Sequence, residues 1–364
     1  QECEPTIKLL LIMATILLGD IVQNIKEVVN PKTCGLDKFV GLEHYDAGEP
    51  MITRYGSPEK LDTNVKHFCK GDILVARRNV YLKRAGYVDF EGVTSGDSIV
   101  LRVTNPTYQR ILPFILNTDD FWDYAEQNAD GTMSKRLSPD DLLDYEFEEP
   151  EDKEVLAEKL WAAYKVKESY RQLLSTTDEM LNAKFHKMFG TADMSHYSLN
   201  DVAEVYDGTH QTPNYVSHGI RFVSVENVTN TASTIKYISR EAFEKYKHKP
   251  QKGDLLMTRI GSIGKCAVVP DDEPLAYYVS LALIKPNRDL VLSEYLKCYI
   301  ESVEGQKELY QRSLLKAFPM KINLGEIGKI KIILPSLKDQ QRFVDTATQA
   351  EATKASLRAS IEAI

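Results

Sequence analysis

The residues best suited to chemistry are cations clustered after a predicted strand. Arg77, Arg78, Lys83 and Arg84 lie within eight residues, and Tyr81 lies between them. Such side chains donate hydrogen bonds to phosphate oxygens and to base edges, and the aromatic ring offers a flat apolar surface. An ordinary solvated loop has the same composition. The cluster is therefore a candidate nucleic-acid-binding segment.

A second set of candidates occurs in the other half of the chain. Arg259, Ser262 and Lys265 follow a similar apolar strand, and Arg259 comes 182 residues after Arg77. Two glycines in this segment would let the backbone approach a phosphate closely. Further upstream, the run DGTHQTP begins at residue 207, and the candidates in and after it are Thr209, His210, Thr212 and Tyr215. A Gly-Pro turn with a capping threonine and a packed tyrosine is the alternative interpretation.

Three segments are similar to catalytic motifs, but local structure explains each better. Asn105-Pro106-Thr107-Tyr108 is similar to the N-P-P-Y/F motif of amino-methyltransferases, yet no glycine-rich cofactor loop lies upstream, which favours a proline turn. Pro139-Asp140 with Glu151-Asp152-Lys153 is similar to a magnesium-dependent nuclease motif, but the acids at 151 and 152 suit the start of a helix. Residues 260–265 lack the spacing and the GK[ST] end of a Walker loop. We therefore predict no catalytic residues and no cofactor.

The cysteines and histidines predict neither disulfides nor a metal site. The 5 cysteines form no CxxC pair, and the 7 histidines form no HxxxH or HxH cluster. Scattered, odd-numbered cysteines are typical of reduced thiols in the cytoplasm, where we expect the protein. The apolar run Leu9–Leu18 is too short to span a bilayer, and no basic segment precedes it, so we predict no membrane segment.

Two predicted long helices organise the rest of the chain. Residues 151–190 contain no internal proline or glycine, and their apolar positions recur every three or four residues. The same pattern recurs 187 residues later, and Lys354 occupies the position in the second pattern that Lys167 occupies in the first. The recurrence predicts an antiparallel coiled-coil pair. An amphipathic helix packed on its own domain is the alternative. The predicted seam residues are Leu156, Leu160, Tyr170, Leu174, Leu181, Phe343, Ala347, Leu357 and Ile361. We expect Leu160, Leu174 and Leu181 to face Ala347, Ile361 or their neighbours.

The blocks between these helices also repeat in order. Lys70-Gly71-Asp72, for example, returns as Lys252-Gly253-Asp254, each before an apolar strand that ends near an arginine. We predict a mixed α/β (α+β) chain with two tandem domains and two long antiparallel helices. The predicted boundaries are an unassigned extension at 1–12, domains at 13–150 and 191–335, and helices at 151–190 and 336–364.

The net charge of −8 does not exclude a nucleic-acid partner, because the charge is unevenly distributed. Residues 109–150 carry 11 acids and 3 bases, which accounts for the whole acidic excess. The segments that carry the candidate cations lie outside this range. A local basic surface on each domain is therefore compatible with the overall charge.

This organisation resembles the specificity (S) subunit of type I restriction–modification systems over about residues 14–364. The resemblance rests on the DGTHQTP run, the two Lys-Gly-Asp blocks and the helix ending Lys187-Met188-Phe189-Gly190. The first domain has Asn30-Pro31-Lys32-Thr33 near the place of the DGTHQTP run, so its DNA-contacting loop is expected to differ.

The resemblance implies a non-catalytic subunit with two target-recognition domains, each reading half of a bipartite sequence in double-stranded DNA. It also implies that the paired helices set the gap and dock two methyltransferase (M) subunits, and that restriction (R) subunits join through the complex. The alternatives are the specificity subunit of a bipartite type II system and a helical scaffold that binds no DNA.

Overall fold

The structure is a computed structural model that describes residues 14–131, 134–190, 196–230, 234–314 and 317–364. The chain divides into two compact units, a first unit that ends at Val166 and a second unit at Lys167–Ile364. The predicted extension at residues 1–12 lies outside the described residues. Within the described ranges, no helix has the length and apolar character needed to cross a membrane.

The first unit is built from short strands and short helices. Its antiparallel four-stranded sheet has the order β2-β9-β6-β7, its mixed sheet has the order β3-β5-β8-β4 with β4 and β8 parallel, and β1 pairs with β10. The strands are β1 (Thr15–Leu17), β2 (Val22–Ile25), β3 (Val28–Val29), β4 (Phe39–Val40), β5 (Val65–Phe68), β6 (Ile73–Ala76), β7 (Ala85–Tyr87), β8 (Gly92–Thr94), β9 (Ser98–Val103) and β10 (Glu146–Glu148). The helices are α1 (Leu18–Ile21), α2 (Leu112–Ile115), α3 (Asp119–Gln127), α4 (Pro139–Leu143) and α5 (Lys153–Phe189), which continues into the second unit.

The second unit has the same kind of construction. Its antiparallel sheet has the order β12-β19-β16-β17, its mixed sheet has the order β13-β15-β14-β18, and β11 pairs with β20. The strands are β11 (His196–Ser198), β12 (Ala203–Asp207), β13 (Tyr215–Val216), β14 (Ile220–Val223), β15 (Tyr237–Ile238), β16 (Leu255–Thr258), β17 (Cys266–Val268), β18 (Leu275–Tyr277), β19 (Leu281–Pro286) and β20 (Lys331–Ile333). The helices are α6 (Leu199–Val202), α7 (Arg240–Glu244), α8 (Ser293–Glu301), α9 (Val303–Arg312), α10 (Leu324–Ile327) and α11 (Leu337–Glu362).

The two units repeat one topology, which confirms the predicted tandem repeat. The antiparallel sheets match strand for strand in order and direction. The mixed sheets share a parallel pair, β4 with β8 and β14 with β18. They differ in which strand of that pair the third strand is hydrogen-bonded to. In the first unit β5 pairs with β8, whereas in the second unit β15 pairs with β14. The repeat therefore keeps one sheet unchanged and varies the other.

The repeated Lys-Gly-Asp blocks form equivalent turns. Asp72 accepts a hydrogen bond from the backbone N–H of Cys69 at 2.8 Å, and Asp254 accepts one from that of Gln251 at 2.8 Å. Both aspartates are buried. The glycine before each has φ of +100° or +80°, a left-handed conformation that glycine adopts without strain. The blocks recur because each fold needs the same tight turn before its buried strand.

Helices α5 and α11 pack together in the second unit, as predicted. Phe185 and Phe189, near the end of α5, contact Phe343, near the start of α11, with ring centroids 5.4 and 5.7 Å apart. Further along α11, Lys354 reaches back to Asp178 of α5. The contacts run in opposite directions along the two helices, so the pairing is antiparallel.

The predicted seam holds over only part of α5. Leu181 packs against the core cluster that contains Ala347, as expected. Leu160 instead packs against the core of the first unit beside Ala157, and Leu156 is 39% exposed. The prediction for Leu156 and Leu160 was wrong because the globular core, rather than a partner helix, selects the buried face at this end of α5. Tyr170, Leu174, Leu357 and Ile361 are partly buried, and their place in the seam stays a prediction.

The lysine in the C-terminal seam forms ion pairs in which the lysine is buried and the two carboxylates are exposed. Lys354 is 7% exposed, and its Nζ lies 2.7 Å from Asp178 Oδ1 and 2.5 Å from Glu351 Oε1. Burial alone would lower the pKa of Lys354, but the hydrogen bonds to these two carboxylates raise it above its ordinary value. The lysine therefore stays charged and fixes one α11 position opposite one α5 position.

We expect Lys354→Glu to lower the free energy of unfolding of the second unit by about 2 kcal/mol, because it replaces a buried cation with a carboxylate beside two exposed carboxylates. Lys354→Met, which removes the charge but keeps the chain length, should change stability by less than about 1.5 kcal/mol. Chemical denaturation followed by circular dichroism measures both. Adding Asp178→Lys to Lys354→Glu should restore part of the loss, and equal stability of all these variants would contradict the ion-pair assignment.

Candidate nucleic-acid interface

The DGTHQTP run forms a loop that leaves β12 and is anchored by its first residue. The Asp207 carboxylate accepts hydrogen bonds from Arg259 Nη2 at 2.8 Å, His210 Nε2 at 2.8 Å and the Gly208 backbone at 3.0 Å. A Cβ on Gly208 would lie 2.5 Å from the backbone of Tyr278, so only glycine fits there. The loop is thus fixed at its root, while Thr212 and the segment to Tyr215 are exposed.

Arg259 has a positioning role that the sequence does not reveal. It is only 8% exposed, and besides Asp207 its guanidinium donates to the carbonyls of Val279 at 2.8 Å and Ile322 at 3.4 Å. Three separate loops therefore meet at one side chain. Its burial leaves little surface for a nucleic acid, so we reassign it from DNA contact to support of the loop.

A groove of about 600 Å³ lies beside this loop. One wall is the loop itself, including Thr209, and the other is α7 with the segment that follows it. Lys245 and Lys247 line that second wall and are exposed. Hydroxyl, amide and ammonium donors therefore line a single concave surface, which is the combination that base and phosphate contacts require.

Lys245 and Lys247, which form the basic wall of the groove, were not among the residues that the sequence predicted to bind DNA. The signal for this wall is the run from Lys245 to Lys249, which alternates lysines with Tyr246 and His248. His248 stacks on Tyr206 of β12 with ring centroids 3.6 Å apart, which ties the run to the sheet. A search for interleaved aromatic and basic residues would have found this segment.

The glycine-rich segment after β16 is a turn whose backbone groups are hydrogen-bonded within the second unit. Thr258 Oγ1 accepts a hydrogen bond from the Lys265 backbone at 2.9 Å and donates to the Ser262 carbonyl. The Gly261 amide donates to the Met320 carbonyl at 2.8 Å, so it is already occupied. The predicted approach of this backbone to a phosphate is therefore unsupported, but the side chains of Ser262 and Lys265 are exposed.

In the first unit, the cations predicted to bind DNA contact their own unit. Arg78 donates to Ser134 Oγ at 2.8 Å, and Lys83 Nζ lies 2.5 Å from Asp119 Oδ1. Arg84 donates to the carbonyls of Leu42 and Arg78, which makes it a support for the loop. Arg77 is partly buried next to this segment, and its Nε finds no hydrogen-bond partner among the described residues.

The segments that are similar to catalytic motifs form local structure. Asn105 Oδ1 accepts the Thr107 backbone N–H at 3.2 Å and caps a single helical turn. Tyr108 donates to Glu149 at 2.5 Å instead of lining a cofactor pocket. Pro139 begins α4, where a proline lacking N–H is tolerated.

Comparison with known proteins shows which proteins this chain is similar to. Residues 192–364 match the family model of the type I restriction modification DNA specificity domain. The S subunit of a type I restriction–modification system from M. genitalium has the same fold, with a TM-score of 0.58, 13% identity, and coverage of 99% of this chain and 96% of that one. A chain of another type I R-M system gives a TM-score of 0.53 at 16% identity, with 96% and 93% of the two chains covered.

Two curated relatives agree in sequence. The specificity subunit of the type I restriction enzyme EcoBI from Escherichia coli is 25% identical over 172 residues, 45% of this chain and 36% of the relative. A putative type I restriction enzyme specificity subunit from Haemophilus influenzae is 30% identical over 125 residues, 32% of this chain and 29% of the relative. The chain thus matches about a third of the length of each. Residues 192–364 match the type I DNA specificity domain, and the predicted resemblance to type I specificity subunits is confirmed.

Proposed function

We propose that this chain gives a type I restriction–modification complex its DNA sequence specificity, without catalytic activity of its own. Each unit would read one half of a bipartite target in double-stranded DNA. The observation that carries the proposal is the repetition of one sheet topology within a chain whose second copy matches a DNA specificity domain. Two similar reading units in one chain suit a target with two half-sites.

In the second unit, we assign DNA binding to the groove beside the DGTHQTP loop. Thr209 and Thr212 line the groove and would supply donors to base edges. His210 lies on the same loop, and the exposed Tyr215 just after it would supply an aromatic surface. Lys245, Lys247 and Lys265 would contact phosphates, together with Ser262. In the first unit, Arg77, Arg78 and Lys83 are the candidate contacts, and Arg84 holds their segment in place.

The long helices would set the spacing and dock the partners. Helix α5 contains 37 residues, which corresponds to about 55 Å of continuous helix. We propose that its length, fixed against α11 by the Lys354 ion pair, determines the gap between half-sites. The exposed helix faces would bind two M subunits, through which R subunits join, in the cytoplasm where the DNA target lies.

A domain exchange tests the proposal. Residues 199–335 are replaced by the equivalent segment of another S subunit, the variant is expressed with its M subunits, and methylated sites in host DNA are sequenced. We expect one half-site to change while the other half-site and the gap stay constant. Exchange of residues 14–150 is the matched control and should change the other half-site. An unchanged target from a folded, assembled variant would refute the assignment.

The salt dependence of DNA binding separates this function from that of a protein scaffold. Phosphate contacts release counterions, so log K for the assembled complex should fall linearly with log salt, with a slope near −0.9 per contact, or roughly −3 or steeper overall. A complex in which this chain binds only protein should lose no DNA affinity when Lys245 and Lys247 are both replaced by Gln.

A further inference from the structure

A histidine, a cysteine and a glutamate converge at one edge of the mixed sheet in the first unit. His67 lies on β5, and Cys69 lies two residues further on, so both side chains are on the same side of the extended chain. The β5–β8 register pairs His67 with Val93 and Phe68 with Gly92, which places Glu91 next to Cys69. The imidazole nitrogen, the thiol sulfur and the carboxylate oxygen lie within 4.8 Å of one another.

A second carboxylate holds the imidazole ring. His67 Nδ1 lies 3.0 Å from Glu27 Oε2, and Nε2 lies 2.8 Å from Glu91 Oε1. The backbone N–H of His67 also donates to the Glu27 carbonyl at 3.0 Å, so this neighbour is set by the sheet. A hydrogen bond from Nδ1 to Glu27 leaves Nε2 as the coordinating atom, the arrangement in which a carboxylate orients a metal-binding histidine.

The cysteine is held by a rigid turn. Its backbone N–H donates to Asp72 at 2.8 Å, and both oxygens of Asp72 accept hydrogen bonds at 2.8 Å from Arg102. Because Asp72 is buried, the position of Cys69 is fixed before any ion binds. A site that is already ordered loses little conformational entropy when it binds its ligand.

The second copy shows that the turn does not need these residue types. Its equivalent turn, with the same 2.8 Å hydrogen bond to the aspartate, has Gln251 in the place of Cys69, and the residue two positions before Gln251 is Lys249, which lies outside any strand. The turn therefore tolerates a residue that is a poor metal ligand at the Cys69 position. The thiol and the imidazole in the first copy are an addition to the common architecture.

We propose that His67 Nε2, Cys69 Sγ and a Glu91 carboxylate oxygen bind a divalent cation of the zinc class. One thiolate, one imidazole and one carboxylate are the ligand types that Zn²⁺ takes in tetrahedral sites, and water completes the fourth position. Glu91 is exposed, which gives the ion a path from solvent. The site would tie β5 to β8 in the sheet that differs between the two units. The sequence motifs for metal binding do not reveal this group, because its members come from two strands rather than one local pattern.

Cobalt binding to the full chain tests the site, since Co²⁺ replaces Zn²⁺ and its thiolate complexes absorb in the near ultraviolet. We expect a saturable thiolate-to-cobalt charge-transfer band at one ion per chain, removed by added Zn²⁺. Cys69→Gln, which copies the residue of the second unit, should abolish the band. His67→Gln should weaken Co²⁺ binding at least about tenfold.

Cys34→Ser is the matched control, because it removes another partly exposed thiol of the same unit. It should leave both the band and the affinity unchanged. Circular dichroism of each variant establishes that it is folded. The absence of a band in the unmodified chain, or a band that persists in folded Cys69→Gln, would overturn the proposal. Neither result bears on DNA specificity, which the domain exchange tests separately.

Discussion

Phe185→Ala is expected to lower the free energy of unfolding of the second unit by about 3–5 kcal/mol. The Phe185 ring is 2% exposed and lies at the junction of α5, α8 and α11. Its centroid is 5.2 Å from that of Phe189 and 5.4 Å from that of Phe343. Truncation would leave a cavity that neighbouring rings cannot fill without leaving their own contacts. It should therefore also loosen α11 from α5.

The positions of the tryptophans make this prediction specific. Trp122 and Trp161 are the only tryptophans of the sequence, and both belong to the first unit. Tryptophan fluorescence therefore follows unfolding of the first unit, while circular dichroism follows the whole chain. In Phe185→Ala the circular dichroism transition should move to lower denaturant, and the fluorescence transition should stay near its original midpoint.

Met180→Ala is the matched control on the same helix. Met180 is 55% exposed, so its truncation should change the free energy of unfolding by no more than about 0.5 kcal/mol. If Phe185→Ala and Met180→Ala unfold at the same denaturant concentration, the aromatic junction does not hold the two helices together.

The large features of this fold are encoded in local sequence patterns. Helix α5 begins at Lys153 and ends at Phe189, inside the predicted range 151–190, because an unbroken helical periodicity is a local property. The tandem repeat is visible for a related reason. Each Lys-Gly-Asp block needs a left-handed glycine and a buried aspartate for its turn, so the same turn in both units requires the same residues.

The features that the sequence does not reveal depend on tertiary packing or on strand register. Nothing local separates Arg259 from Arg78, yet the first is enclosed by three loops and the second is partly exposed. Leu160 fits the heptad as well as Leu181 does, but a globular core covers it. The His67 and Glu91 pair is invisible to any search along the chain, because 24 residues separate its members and only strand register brings them together.

Arg259→Met is expected to weaken binding of cognate DNA by the assembled complex at least about tenfold, or roughly 1.4 kcal/mol. Removing the guanidinium takes a donor from the Val279 carbonyl and leaves the Asp207 carboxylate with only His210 and the Gly208 backbone as partners, and a lost hydrogen bond to a charged group costs about 1.5–3 kcal/mol. The DGTHQTP loop would then lose its fixed root. Arg259→Lys should recover only part of the affinity, because an ammonium cannot bond to three loops in the geometry of a planar guanidinium.

The salt dependence of this loss distinguishes support of the loop from direct contact with DNA. If Arg259 positions the loop, Arg259→Met should reduce the ratio of cognate to non-cognate affinity while the slope of log K against log salt stays unchanged. Lys265→Met is the opposite case, because an exposed phosphate contact should weaken both DNAs alike and reduce the slope by about 1. A reduced slope with an unchanged ratio in Arg259→Met would mean that the guanidinium itself reaches a phosphate. We expect Arg259 to support the loop, because its guanidinium is buried and hydrogen-bonded to Asp207, Val279 and Ile322. It could reach a phosphate only by breaking those hydrogen bonds.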